Sequence, residues 1–109
     1  MSSTVSNLIS VEISQLTAVG TDTKLVLLDS VVLSESIVPS FITQVSTIIS
    51  PHADGTGALF IANDTECDIW YAVGASPNPS NAAARRLLRA GKDASIAIKQ
   101  NDKVAVIKK

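Results

Sequence analysis

Clusters of Gly, Pro, Asn, Asp and Ser recur along this chain at spacings of roughly ten residues, leaving only short apolar stretches between them. Stretches of that length, rich in Val and Ile, suit strands and leave no room for a long amphipathic helix. Residues 9–16 (ISVEISQL) alternate apolar and polar side chains, as a half-buried strand does. Residues 20–22 form a turn signal. Residues 24–33 are too long and too apolar for one half-exposed strand, and they predict two strands or one bent strand broken near Asp29-Ser30. Pro39 interrupts the ladder, because proline has no N–H to donate.

Residues 41–50 (FITQVSTIIS) are dense in β-branched side chains and predict a strand, followed by a strong loop signal at 51–57 (PHADGTG). Residues 58–62 and 68–73 predict two further strands, with the polar residues 63–66 between them read as a hairpin turn. A second long loop spans 74–81 (GASPNPSN). Residues 94–98 and 104–107 end the chain as strands joined at Gln100-Asn101-Asp102. Residues 82–90 (AAARRLLRA) depart from the β pattern. They are strong helix formers with Ser80 or Asn81 available as an N-cap and Gly91 as a stop, so either a short helix near 82–89 or a loop fits them. The expected fold is all-β: a single β-sandwich or jelly-roll-like domain of about eight short strands over residues 9–109. Residues 1–8, small and polar, are expected to form a flexible N-terminal arm.

At 109 residues the chain buries only about two-thirds of the surface its unfolded form exposes. It has no internal staple to compensate. Cys67 is the single cysteine and His52 the single histidine, which excludes an intramolecular disulfide and any His/Cys metal cluster. Small domains without staples often gain stability by oligomerising. With 46% hydrophobic and 17% charged residues, the composition points to apolar surface hidden against partner chains, although a Val/Ile-rich β core raises the same figure. The aliphatic stretches 25–33 and 41–49 fall well short of the roughly 20 apolar residues of a spanning helix, so no membrane partner is expected. The start of the chain lacks a basic segment ahead of an apolar one, so no signal peptide is expected either.

The net charge of −1 conceals a division. Residues 1–80 hold eight acids against the single base Lys24, whereas residues 81–109 hold eight bases against Asp93 and Asp102. Complementary rims within one sandwich and complementary faces between subunits both account for this pattern. Nucleic acid is disfavoured as a partner, because the basic part lacks interleaved aromatics and the rest of the chain would repel phosphate.

Candidate chemistry is sparse. His52 sits in a Pro/Asp/Gly loop with no nucleophile motif nearby and reads as a solvated loop residue. Asp64, Glu66 and Asp68 would share one face of a strand, but without the glycine and further oxygen ligands of a calcium loop they read as a solvated hairpin tip. Cys67 has acidic neighbours, which disfavour a thiolate, and reads as a half-buried side chain. The segments 55–57 and 74–76 are too short to cradle a phosphate and read as turns. No catalytic, cofactor or metal residues are assigned, and the chain is expected not to be an enzyme. Trp70 and Tyr71 are adjacent, so on a strand one faces the core and the other a partner. With the basic residues Arg85, Arg86 and Arg89 they form the candidate subunit or partner contact.

The pattern Ile61-Ala62-Asn63-Asp64-Thr65, then Asp68-Ile69-Trp70-Tyr71-Ala72-Val73-Gly74, then Leu87-Leu88-Arg89-Ala90-Gly91-Lys92 and Ile96-Ala97-Ile98 resembles small tailed-bacteriophage virion structural proteins over about residues 58–107. In that pattern Asn63 turns a hairpin, Trp70 and Tyr71 pin the sheet, Leu87 and Leu88 plug its edge, and Gly91 permits re-entry into a last hairpin. The resemblance implies a capsid decoration (cement) protein, made in a host cytoplasm and carried in the virion. It would assemble as a homo-oligomer, a trimer in the usual case, on the major capsid protein or other virion proteins. A small fibre, spike or neck component is the alternative within that class. Outside it, the alternative is a stand-alone carbohydrate- or protein-binding sandwich with a groove near Trp70, Tyr71 and the His52 loop.

Overall fold

The computed structural model describes residues 7–18, 25–52 and 57–109, and the side chains of these except 15–18 and 25–32. The expected arm therefore lies outside the described residues over 1–6, as do the 20–22 turn and residues 53–56 of the loop. Among the described residues the fold is all-β and contains no helix. The strands are β1 (Ile9–Ala18), β2 (Leu25–Ile37), β3 (Gln44–Val45), β4 (Gly57–Asn63), β5 (Ile69–Gly74), β6 (Arg86–Leu88), β7 (Asp93–Ile98) and β8 (Lys103–Lys108). They form two antiparallel four-stranded sheets, with orders β2-β1-β4-β7 and β3-β8-β5-β6.

Alternation along the strands builds the core. Ile9, Val11 and Ile13 of β1 and Leu59 and Ile61 of β4 point inward from the first sheet. They meet Ile69 and Tyr71 of β5, Leu88 of β6, and Val104 and Val106 of β8 from the second. Burying a β-branched or aromatic side chain of this kind contributes about 1.5–3 kcal/mol, so these alternating positions provide most of the sandwich's cohesion. The long apolar segment after residue 24 is one bent strand. Leu33 pairs with Ile13 and Leu28 with Gln15, which leaves residues 29–32 opposite Ser14 alone, a bulge centred where Asp29-Ser30 suggested a break.

Three local expectations are corrected. Residues 63–66 do not turn a hairpin, because β4 and β5 lie in different sheets and the segment crosses between them. The last two strands are likewise split, with β7 paired to β4 and β8 to β5 and β3, so the Gln100-Asn101-Asp102 turn is also a crossing. Asn101 adopts φ 71° there, a conformation asparagine tolerates. Residues 82–90 are not helical. Asn81 accepts the backbone N–H of Ala84, of Arg85 and, through Oδ1, of Ala83, which caps one turn. The next residues, Arg86–Leu88, pair with β5, and a helix cannot continue where its backbone N–H and C=O groups serve a ladder. Gly91 has φ +75°, the left-handed conformation that the turn into β7 requires.

Counted from β2, with β1 taken last, the sheet orders become 1-8-3-6 and 2-7-4-5, the strand order of a jelly roll. β1 thus fills the slot of a jelly roll's final strand. The residues that precede β1 and follow β8 accordingly flank one segment: the Leu8 carbonyl accepts the Asp64 N–H at 3.2 Å, and the Lys109 N–H donates to the Asp68 carbonyl at 3.1 Å.

Asn63, at 0% exposure, fastens the crossing from β4 to β5. Its Nδ2 donates to the carbonyls of Cys67 (2.8 Å) and Leu88 (3.1 Å), while Oδ1 accepts from the Thr65 N–H and hydroxyl. Its backbone bonds Lys92 and Gly91 at 2.8 Å each. Replacing Asn63 by Ala takes the side-chain partner from the Leu88 carbonyl and the buried Thr65 N–H and one of two bonds from the Cys67 carbonyl, and the expected cost is about 2–4 kcal/mol in urea unfolding. Asn63→Asp, which keeps the acceptor and loses both donors, should not restore stability. An unfolding midpoint unchanged in Asn63→Ala would refute this role.

Candidate functional site

Among the described residues, those capable of chemistry do not converge. His52 is not solvated as expected. It is 7% exposed, its Nε2 has no hydrogen-bond partner among the described residues, and its backbone N–H donates to Ser50 Oγ. Asp54, its nearest carboxylate in sequence, lies outside the described residues. Asp64, Glu66 and Asp68 stand on the irregular crossing, not on a strand face, and Asp68 Oδ1 accepts the Ala90 N–H at 3.0 Å. Cys67 is exposed where a half-buried side chain was expected; the fold uses its carbonyl as an acceptor for Asn63 and Thr65. Among the described residues, no group of three or more His, Cys, Asp or Glu side chains could hold a metal ion.

The adjacent aromatics divide between the two faces of β5. Tyr71 lies in the core at 3% exposure and presents nothing to a partner. Trp70 faces outward beside Ile107 and Leu87, its register partners on β8 and β6. Arg85 stacks over the indole with its Cζ 3.9 Å from the ring centroid, and the Lys109 ammonium lies 5.5 Å away. Ala72 and Ala105, on the same outward side, are also buried. The 75–85 connection carries the stacked Arg85 and a fully buried Pro79. Arg86 and Arg89 are exposed.

The open surface lies elsewhere. Among the described residues, the exposed large hydrophobics are Val38, Phe41, Ile42, Val45 and Ile49, all within one stretch of twelve residues. A full strand was expected over residues 41–50, but only Gln44 and Val45 pair with β8. Side chains take over the ladder beyond them. Ser46 bonds Val104 through both its backbone N–H and its hydroxyl, and Glu35 Oε1 accepts the N–H groups of Thr47 (2.7 Å) and Ile48 (3.1 Å). Glu35 reaches across from the edge strand of the other sheet, so it blunts an edge that would otherwise invite strand addition. The sequence held a signal for this. Apolar positions 41, 42, 45, 48 and 49 do not alternate, so no two-residue period could place them all inward.

A second open feature is a shallow hollow of about 540 Å³ on the outer face of the first sheet. Phe60 stands there among the small residues Ser14, Ala58, Ser95 and Ala97, with Glu12 at the rim. Comparison with known protein families, curated proteins and solved structures finds no match to this chain.

Trp70 is the chain's only tryptophan, so its emission reports the stacked pair directly. Arg85→Ala is expected to shift that emission to the red, with a stability loss of about 1 kcal/mol or less. Unshifted emission would show that the guanidinium does not cover the ring in solution.

Proposed function

We propose that this protein is a non-enzymatic structural subunit that self-assembles. In its finer form the proposal is a phage virion protein that decorates or cements the capsid, with a small fibre, spike or neck component as the variant within the same class. The observation that carries the self-assembly reading is that, among the described residues, the exposed large hydrophobics all fall within residues 38–49. Apolar surface concentrated on one edge, next to a corner that is held in place, is what a protein contact needs. The scattering of His52, Cys67 and the carboxylates supports the non-enzymatic part, since acid–base or nucleophilic chemistry requires partners within hydrogen-bond reach.

The virion part is supported by the resemblance over residues 58–107 and by a small, interleaved sandwich of a kind that capsid proteins use among many others. The stand-alone glycan-binding alternative is disfavoured by Arg85, which occupies a face of Trp70 that a sugar ring would stack on.

Size-exclusion chromatography with light scattering, run across protein concentration at low and high salt, tests the reading. A trimer or larger closed ring is expected, loosening at high salt as ion pairs between the acidic and basic parts are screened. A monomer at every concentration and salt level would overturn it.

A further inference from the structure

Resting on the self-assembly reading, we propose that copies join head to tail, the Phe41–Ile42 corner of one protomer seating in the hollow beside Phe60 on the next. Among the described residues, Phe41 and Ile42 are the most exposed large hydrophobics, at 73% and 74%. Their corner is held rather than loose. The Ile42 N–H donates to Ser40 Oγ at 3.1 Å, the Ser40 carbonyl accepts the Lys108 N–H at 2.8 Å, and Pro39 behind them is buried. A rigid apolar projection loses little conformational entropy on docking.

The hollow is its counterpart in shape. Ala58, Ala97, Ser14 and Ser95 keep the floor low around the Phe60 ring, leaving room for more than one large side chain. Corner and hollow belong to different sheets: the corner leads into β3 at the edge of the second, and the hollow lies on the outside of the first. A copy cannot fill its own hollow.

The Lys108 ammonium lies 5.4 Å from the Phe41 ring centroid, beside Lys109, Glu66 and Asp68, and among the described residues the one charged side chain lining the hollow is Glu12. The described outward side chains of β1, β4 and β7 carry Glu12 and Asp93 and no base. Seating Phe41 beside Phe60 therefore brings a cation to an acidic face. A two-fold contact of corner on corner would leave both hollows empty. Contacts between two different patches are heterologous, and they close into rings when the rotation permits.

The test uses two variants of the full chain. Phe41→Ser/Ile42→Ser removes the corner and leaves the hollow; Ala97→Arg, at an exposed position of the edge strand β7, fills the hollow and leaves the corner. Each alone is expected to run as a monomer, and an equimolar mixture as a one-to-one complex, because each variant retains the surface the other lacks. Glu12→Lys, an exposed position, serves as an independent variant and is expected to raise the dissociation constant about tenfold. Normal assembly of Ala97→Arg, or a mixture that stays monomeric, would overturn the head-to-tail contact and leave self-assembly standing. A monomeric native protein would overturn both.

Discussion

The carboxamide of Asn63 is the constraint on which the two-sheet arrangement rests. It sits where β4 leaves the first sheet, and its donors and acceptor are spent on Cys67, Leu88 and Thr65. Those partners belong to the crossing segment and to β6 of the second sheet, while its backbone holds Gly91 and Lys92 at the return to the first. A buried amide satisfied on all sides strengthens every bond it makes, because no water competes for them. One residue thereby fixes both the departure to the second sheet and the way back.

Of the seven connections between consecutive strands, five cross between the sheets. Crossings of this kind bring distant parts of the chain together and rest on tertiary contacts, not on the local turn chemistry that closes a hairpin. Ser50 illustrates the point: its N–H and carbonyl bond Asp102 and Asn101, half the chain away, and so tie the loop before β4 to the turn before β8. The N-terminal strand is the most displaced element. β1 lies between β2 and β4 in the middle of its sheet, so the core depends on a strand at the very start of the described chain.

The division of labour between the edges follows from the same geometry. On the outward side of β5 the Arg85 guanidinium stacks over Trp70, and Tyr71 lies in the core, so three of the five residues marked for partner contact are already engaged within the fold while Arg86 and Arg89 stay exposed. The stretch 38–49 remains open because it follows the second sheet's edge without joining it fully, and Glu35 caps the N–H groups it leaves. Its apolar side chains are accordingly available to another molecule, whereas its backbone is already satisfied.

Most of the strands were legible in the sequence, and so was the two-residue period that sorts Ile9, Val11, Ile13, Leu59 and Ile61 inward. The bend near Asp29-Ser30 and the special backbone at Gly91 were legible too, because each rests on a local property of the chain. What remained hidden was decided between residues far apart. Nothing local tells a turn that closes a hairpin from one that changes sheets, so residues 63–66 read as the former and fold as the latter. Helix formers at 82–90 gave way to pairing with β5, and strand formers at 41–50 gave way to side chains arriving from Glu35 and Ser46. Local propensity amounts to about 1 kcal/mol or less per residue, and a buried ladder or a satisfied corner outweighs it. The sequence by itself therefore determined which residues are strands and which face inward, while only the tertiary structure decided which strands meet and which surface is left for a partner.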